Sequence, residues 1–173
     1  MPHLRNAIVL LAACTLALTA SAVAQNPALP GSYTLDSEAS DPIRPAIEAA
    51  IARMNFITRP VARGRLTRTN EPYRTITIRQ SGDEISIITD DRAPIVARAD
   101  GTAMRWQRED GEELDLTTRW DGPRLEQTFV AEDGQRRNVY SLAPDGDTLE
   151  LAVTVTSPRL PAPLTYTLRY RRE

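Results

Sequence analysis

Histidine and cysteine, the side chains most often recruited as proton carriers, nucleophiles and metal ligands, occur once each in this chain, as His3 and Cys14. Both fall in an N-terminal segment that reads as a removable signal peptide. Arg5 supplies its positive start, and Ala7 to Ala20 is an uncharged, mostly apolar run. Ala22-Val23-Ala24 then puts small residues where a signal peptidase reads them, before polar Gln25-Asn26-Pro27. The run is shorter than the ~20 apolar residues needed to span a bilayer. Cleavage near Ala24 gives a signal peptide (1–24), a mature domain (25–173) and a periplasmic or secreted product. That mature chain has no imidazole and no thiol. Ser-His-Asp and Cys-His catalysis, disulfides, and imidazole or thiolate metal sites are therefore closed to it. A second reading stays open: Leu11-Ala12-Ala13-Cys14 resembles a lipobox, in which Cys14 would carry the lipid anchor. Against it, the apolar stretch before Cys14 is very short, and the residues after it stay apolar.

The remaining chemistry would rest on carboxylates, arginine, tyrosine or serine. Asp90-Asp91 and Asp145-Gly146-Asp147 are the best acidic clusters. In principle they offer loose calcium binding or a paired acid and base. They lack calcium-loop spacing, and turn residues in water account for them. No Gly-rich phosphate loop and no Gly-x-Ser-x-Gly elbow is present. The sequence thus predicts a protein that is not an enzyme, with no catalytic residue, metal site or cofactor.

All 21 basic residues are arginine, against 23 acidic ones. This near balance, without interleaved aromatics, argues against nucleic acid. Arg53, Arg59, Arg63, Arg65, Arg68, Arg74 and Arg79 nevertheless share a stretch with one acid, Glu71. They read either as a patch for anionic lipid, glycan or an acidic ligand group, or as alternate outward strand positions balanced by acids on neighbouring strands.

Turn chemistry sets the elements that must position these side chains. Asp-Gly recurs at Asp100-Gly101, Asp110-Gly111, Asp121-Gly122, Asp133-Gly134 and Asp145-Gly146, at spacings of 10 to 12 residues. Ser81-Gly82-Asp83, Asp90-Asp91 and Asn70-Glu71-Pro72 extend the series backwards. Asp-Gly tolerates the positive φ of tight hairpins, and reversals at this interval signal consecutive antiparallel strands. Between them apolar residues alternate with polar ones, as in Leu149, Leu151, Val153 and Val155, or Leu164, Tyr166, Leu168 and Tyr170. The fold class is all-β: an antiparallel up-and-down meander of about ten strands, which closure into a barrel would relieve of its edges. One segment differs. Ile43, Ala46, Ile47, Ala50, Ile51 and Met54 fall at helical spacing, predicting one amphipathic helix over 41–54, with Asp41 as N-cap. Its polar face is small, which favours packing on the sheet over membrane docking.

A short entry strand, a helical insertion and a run of hairpins together resemble the calycins, the lipocalins and fatty-acid-binding proteins. Gly31-Ser32-Tyr33 stands where those families place Gly-x-Trp. Tyr166-Thr167-Leu168-Arg169-Tyr170 stands where their last strand brings a basic residue to the closure. The resemblance implies a closed, lipocalin-like barrel with the helix near its mouth. Leu168 replaces the Arg of the Arg-x-Tyr that typically binds a fatty-acid carboxylate, so that ligand does not follow.

Within such a barrel, Arg74, Trp106, Trp120, Gln127, Phe129, Asn138, Tyr140 and Tyr166 take inward parities and would line a ligand cavity. Arg74 is placed inward by parity with Ile76 and Ile78. Gln127 and Asn138 are polar on otherwise apolar rows and need partners. The function expected is non-enzymatic binding of a small apolar or amphipathic molecule in a cavity of at least ~300 Å³. The alternative is a cell-envelope interaction or assembly module with a solid core and no ligand. Oligomeric state is left open.

Overall fold

The computed structural model describes residues 29–173. The segment read as a signal peptide, with His3 and Cys14, lies outside the described residues. β1 (Gly31–Asp36) leads into α1 (Ile43–Ile51) and α2 (Arg59–Thr69). The meander follows: β2 (Thr75–Ser81), β3 (Glu84–Thr89), β4 (Ile95–Arg98), β5 (Asp100–Gln107), β6 (Glu113–Asp121), β7 (Arg124–Ala131), β8 (Gly134–Leu142), β9 (Thr148–Thr156) and β10 (Leu164–Arg172).

All pairings are antiparallel, in the order β4-β3-β2-β1-β10-β9-β8-β7-β6-β5. β1 pairs β10, with Tyr33 opposite Arg172 and Leu35 opposite Tyr170, so the sheet wraps round on itself. Closure is nearly complete. The end strands β4 and β5 share no ladder. The Trp120 amide, on β6, donates to the Ala99 carbonyl between them at 3.4 Å. Ala97 then meets Leu114, Leu116 and Phe129 in a small buried cluster that bridges the gap.

Four of the five Asp-Gly pairs lie at hairpin turns, whereas Asp100-Gly101 opens β5, with Gly101 at φ 85° where the β5–β6 register shifts. Gly122, at φ 56°, joins β6 to β7. Gly134 matters for space instead, since an added Cβ there would lie 2.8 Å from the Thr156 carbonyl. Asp90 and Asp145 hold turns: Asp90 Oδ1 accepts from the Arg74 and Thr75 amides, and Asp145 Oδ1 from those of Asp147 and Thr148.

Two helices occupy the place where the sequence predicts one. α1 matches its pattern, burying Ile47, Ala50 and Ile51. Its start differs, because Pro42 is the N-cap while Asp41 is drawn to β10: its amide donates to the Thr167 carbonyl and its carboxylate accepts from the Thr167 amide. Pro45 is accommodated in the first turn, where its missing N–H has no intrahelical partner to lose. α2 carries Arg59, Arg63, Arg65 and Arg68, so these are helical rather than outward strand positions. It escapes the periodicity test because Leu66 is its one buried residue, and Gly64 and Pro60 dilute the pattern further.

The inward faces and both helices meet in one continuous core, from Tyr33, Ile76, Ile78, Ile85 and Ile87 round to Leu149, Leu151, Leu168 and Tyr170.

Candidate binding site

Directly paired residues in an antiparallel sheet project to the same face, so the register defines rows of inward side chains. One row runs Thr118, Gln127, Asn138, Val153, Tyr166 across five strands. The row nearer the helices is Leu116, Phe129, Arg136, Val155, Leu164. The row on the other side is Trp120, Leu125, Tyr140, Leu151, Leu168. Polar residues thus cluster on β6, β7, β8 and β10, inside an otherwise apolar wall.

Their hydrogen bonds form a chain. Gln127 Nε2 donates to Thr118 Oγ1 at 3.3 Å, and the Tyr140 hydroxyl donates to Gln127 Oε1 at 3.4 Å. Asn138 Nδ2 donates to the Tyr140 hydroxyl, and Arg136 Nε donates to Asn138 Oδ1 at 2.9 Å. The Arg136 guanidinium also donates to Asn70 Oδ1 at 2.9 Å, to the Thr69 carbonyl at 3.2 Å and to the Tyr166 hydroxyl at 3.3 Å. Tyr166 in turn donates to Asn70 Oδ1 at 3.0 Å, and Asn70 Nδ2 closes the last turn of α2 on the Leu66 carbonyl. The chain runs from the barrel interior to the helical end.

Arg136 is half-buried, and among the described residues every acceptor it meets is neutral. The outer wall handles a buried charge differently. Glu126, 2 % exposed, lies between Arg119 and Arg137. Burial pushes its carboxyl up, but hydrogen bonds from Arg119 and Arg137 outweigh that and hold it below its ordinary value.

Burial pushes the Tyr140 phenol up to about 12 and raises that of Tyr166, which the Arg136 charge partly draws back. Tyr170 is raised further by burial and by its proximity to Tyr140 and Tyr166. Its hydroxyl is buried with no hydrogen-bond partner among the described residues. Leu168, in the position two before it, offers none.

Of the eight residues that sequence parity places inside, Gln127, Asn138, Tyr140 and Tyr166 come together in this network. Phe129 is buried opposite Arg136 and meets the half-buried Trp106 edge-on, ring centroids 5.2 Å apart. Trp120 packs against the main core. Arg74 is a correction: it stands one residue before β2 with its side chain exposed, its carbonyl accepting from the Leu35 amide of β1 while its own amide turns to Asp90 Oδ1. Sequence reasoning missed Arg136, Thr118 and Asn70. Arg136 was available by period two from Asn138 and Tyr140, whereas Asn70 arrives only through α2.

Two open hollows lie outside the barrel wall. One, about 630 Å³, is lined by Asp36, Asp145, Asp147, Arg169 and Arg171 among others; the second, about 340 Å³, lies over Val130, Gly134 and Thr156. On the inner wall Ile76, Leu116, Leu125 and Leu149 are all at 0 % exposure, whereas Trp106, Trp120 and Arg136 on the inward rows are half-buried.

The architecture matches solved structures along most of both chains. The fold is calycin-like. A calycin-like barrel is shared with the fatty acid transporter REP1-NXSQ, at TM-score 0.54 and 17 % identity, over 84 % of this chain and 96 % of that one. Human cRBP IV gives 0.53 at 19 %, over 84 % and 98 %. A fatty acid binding protein of Schistosoma mansoni, in complex with arachidonic acid, gives 0.55 at 17 %, over 84 % and 96 %. No protein-family model matches the sequence, and no curated protein does. At these identities the calycin-like likeness establishes the fold alone.

Proposed function

We propose that this chain is an exported, non-enzymatic protein that binds a small amphipathic molecule, with an anionic head at Arg136 and its apolar part toward the barrel interior. One observation carries the reading: Arg136 spends its guanidinium on Asn138, Asn70, Tyr166 and the Thr69 carbonyl, with no carboxylate among them. A cation drawn partly out of water against neutral dipoles is incompletely compensated. An incoming anion adds a charge-assisted hydrogen bond and favours this site over bulk water. The Tyr170 hydroxyl, with no hydrogen-bond partner among the described residues, gives the interior spare polar capacity as well. The structural neighbours, titled a fatty acid transporter and a fatty acid binding protein with arachidonic acid, support a ligand of this kind. Residues 1–24, read as a signal peptide, support export to the periplasm or beyond.

The fully buried side chains of the inner wall favour a second reading, a cell-envelope interaction module with a solid core. The two separate cleanly. Native mass spectrometry on protein purified from the periplasm, compared with a denatured sample, detects a retained small molecule. Titration with a medium-chain alkyl carboxylate, beside the alcohol of equal length, then tests the head group. The binding reading expects saturable uptake of the carboxylate, about tenfold or more weaker in Arg136→Met, with the alcohol weak in both. Saturation by neither probe, with a clean apo mass, would transfer the weight to the solid-core module.

A further inference from the structure

Arg136 stands among aromatic rings at the helical end of the barrel. Phe129 lies directly opposite it across β7 and β8, and Trp106 on β5 meets Phe129 edge-on, with ring centroids 5.2 Å apart. Tyr166 accepts from the guanidinium at 3.3 Å. Tyr73, between α2 and β2, is near enough to Tyr140 and Tyr166 to add to the upward push that burial gives their phenols. Arg92 covers the Tyr73 ring, 5.0 Å from its centroid, and is itself tied to Glu109 of the β5–β6 turn at 3.5 Å. Trp106, Tyr73 and Arg136 are each half-buried. The other half-buried inward ring, Trp120, stands at the far end of the barrel, beside the β6–β7 turn. Uncovered ring surface at the helical end thus gathers round one cation.

Two properties of this end define what it takes. The first is a spare donor. Of the five N–H bonds of Arg136 four are spent, on Asn138, the Thr69 carbonyl, Asn70 and Tyr166. The fifth, on Nη2, has no acceptor among the described residues. The second is depth. The next rows inward, through Gln127, Asn138 and Val153 and then Leu125, Leu151 and Leu168, are at most 6 % exposed. An alkyl chain laid down the barrel axis would have to displace that packing, and close-packed side chains resist it. A flat ring set against Trp106 needs no such displacement, because Trp106 already has uncovered surface. Contact between rings also adds attraction beyond the area it buries.

We infer that the ligand is a short, planar aromatic carboxylate, its carboxylate on Arg136 and its ring against Trp106 and Phe129. This rests on Arg136 as the anion site proposed above and names the class of molecule that site takes. Calorimetric titration of the exported protein with naphthalene carboxylate, undecanoate and naphthalene methanol compares ring, chain and head group at equal carbon number. Wild type should bind the aryl carboxylate about three- to tenfold more tightly than undecanoate, and the neutral alcohol weakly. Trp106→Leu should weaken the aryl carboxylate by about three- to tenfold and leave undecanoate within about twofold. Trp106→Phe keeps a ring and should retain most of the aryl affinity. Circular dichroism confirms the fold of each variant. Undecanoate binding as tightly as the aryl carboxylate would overturn the inference and leave Arg136 standing as an anion site. Aryl binding unchanged in Trp106→Leu would do the same. Uptake of neither carboxylate, or an alcohol as tight as the aryl carboxylate, would overturn both the inference and the anion site it rests on.

Discussion

The guanidinium of Arg172 lies over the ring of Tyr33, 4.9 Å from its centroid, where the last strand meets the first. Tyr33 is fully buried and its hydroxyl donates to the Leu29 carbonyl at 2.6 Å, while Arg172 donates to the Pro30 carbonyl at 3.0 Å. The chain leading into β1 is thus fastened at the seam that closes the barrel. Truncating Tyr33 to Ala should cost about 3–5 kcal/mol of stability. Arg172→Ala should cost about 1 kcal/mol for the lost cation–π contact and hydrogen bond. Urea unfolding followed by circular dichroism measures both. An Arg172→Ala loss equal to that of Tyr33→Ala would mean the guanidinium, not the ring, carries the seam.

The two buried phenols, Tyr140 and Tyr170, should respond to loss of the hydroxyl with opposite signs. Tyr140→Phe strips Gln127 and Asn138 of a shared partner and should destabilise by about 1–3 kcal/mol. Tyr170→Phe removes a buried hydroxyl that has no partner among the described residues, and should be neutral or stabilising by about 1 kcal/mol. Denaturation midpoints decide it, and a loss on Tyr170→Phe would point to a water or ligand bonded to that hydroxyl.

Gly64 and Gly134 form a second pair with opposite expectations. Gly64 sits inside α2, and a Cβ added there would meet nothing within 4 Å, so Gly64→Ala should stabilise by about 0.5–1 kcal/mol. Gly134→Ala meets the Thr156 backbone and should destabilise by about 1–3 kcal/mol. Melting temperatures of the two variants check the signs.

Acid should unfold this protein through its arginine-paired carboxylates. Hydrogen bonds from Arg171 lower Asp36, those from Arg108 hold Asp110 down to about 2, and Glu126 is lowered between Arg119 and Arg137. Each folded value lies below the unfolded one, so the unfolded chain binds more protons as the pH falls. The stabilisation is complete above the ordinary carboxylate values of 3.8 and 4.5 and is lost from there down through about 2. Melting temperature should be level near neutrality and fall steeply below about pH 4. Glu126→Gln should lower stability at neutral pH and flatten that acid slope. An unchanged slope would assign the acid sensitivity to the exposed pairs.

How much was legible in the sequence follows from the range of the interactions. Turn residues and period-two alternation are local, so ten antiparallel strands, their hairpins and the inward parity of Gln127, Asn138, Tyr140 and Tyr166 could be read directly. α2 could not, because a helix lying across a barrel end buries a narrow stripe, here Leu66 alone, and leaves almost no periodic trace. Arg74 is still bonded to Leu35 of β1 yet is exposed, because alternation sets which way a residue faces and not whether anything covers it at the end of a strand. Only the tertiary structure decided what the polar interior connects to. Asn70 meets Tyr166 across 96 residues and Arg136 across 66, and Arg172 closes on a ring near the other end of the domain. Such contacts are set by how the meander wraps and where the helices come to rest, and no local pattern encodes either.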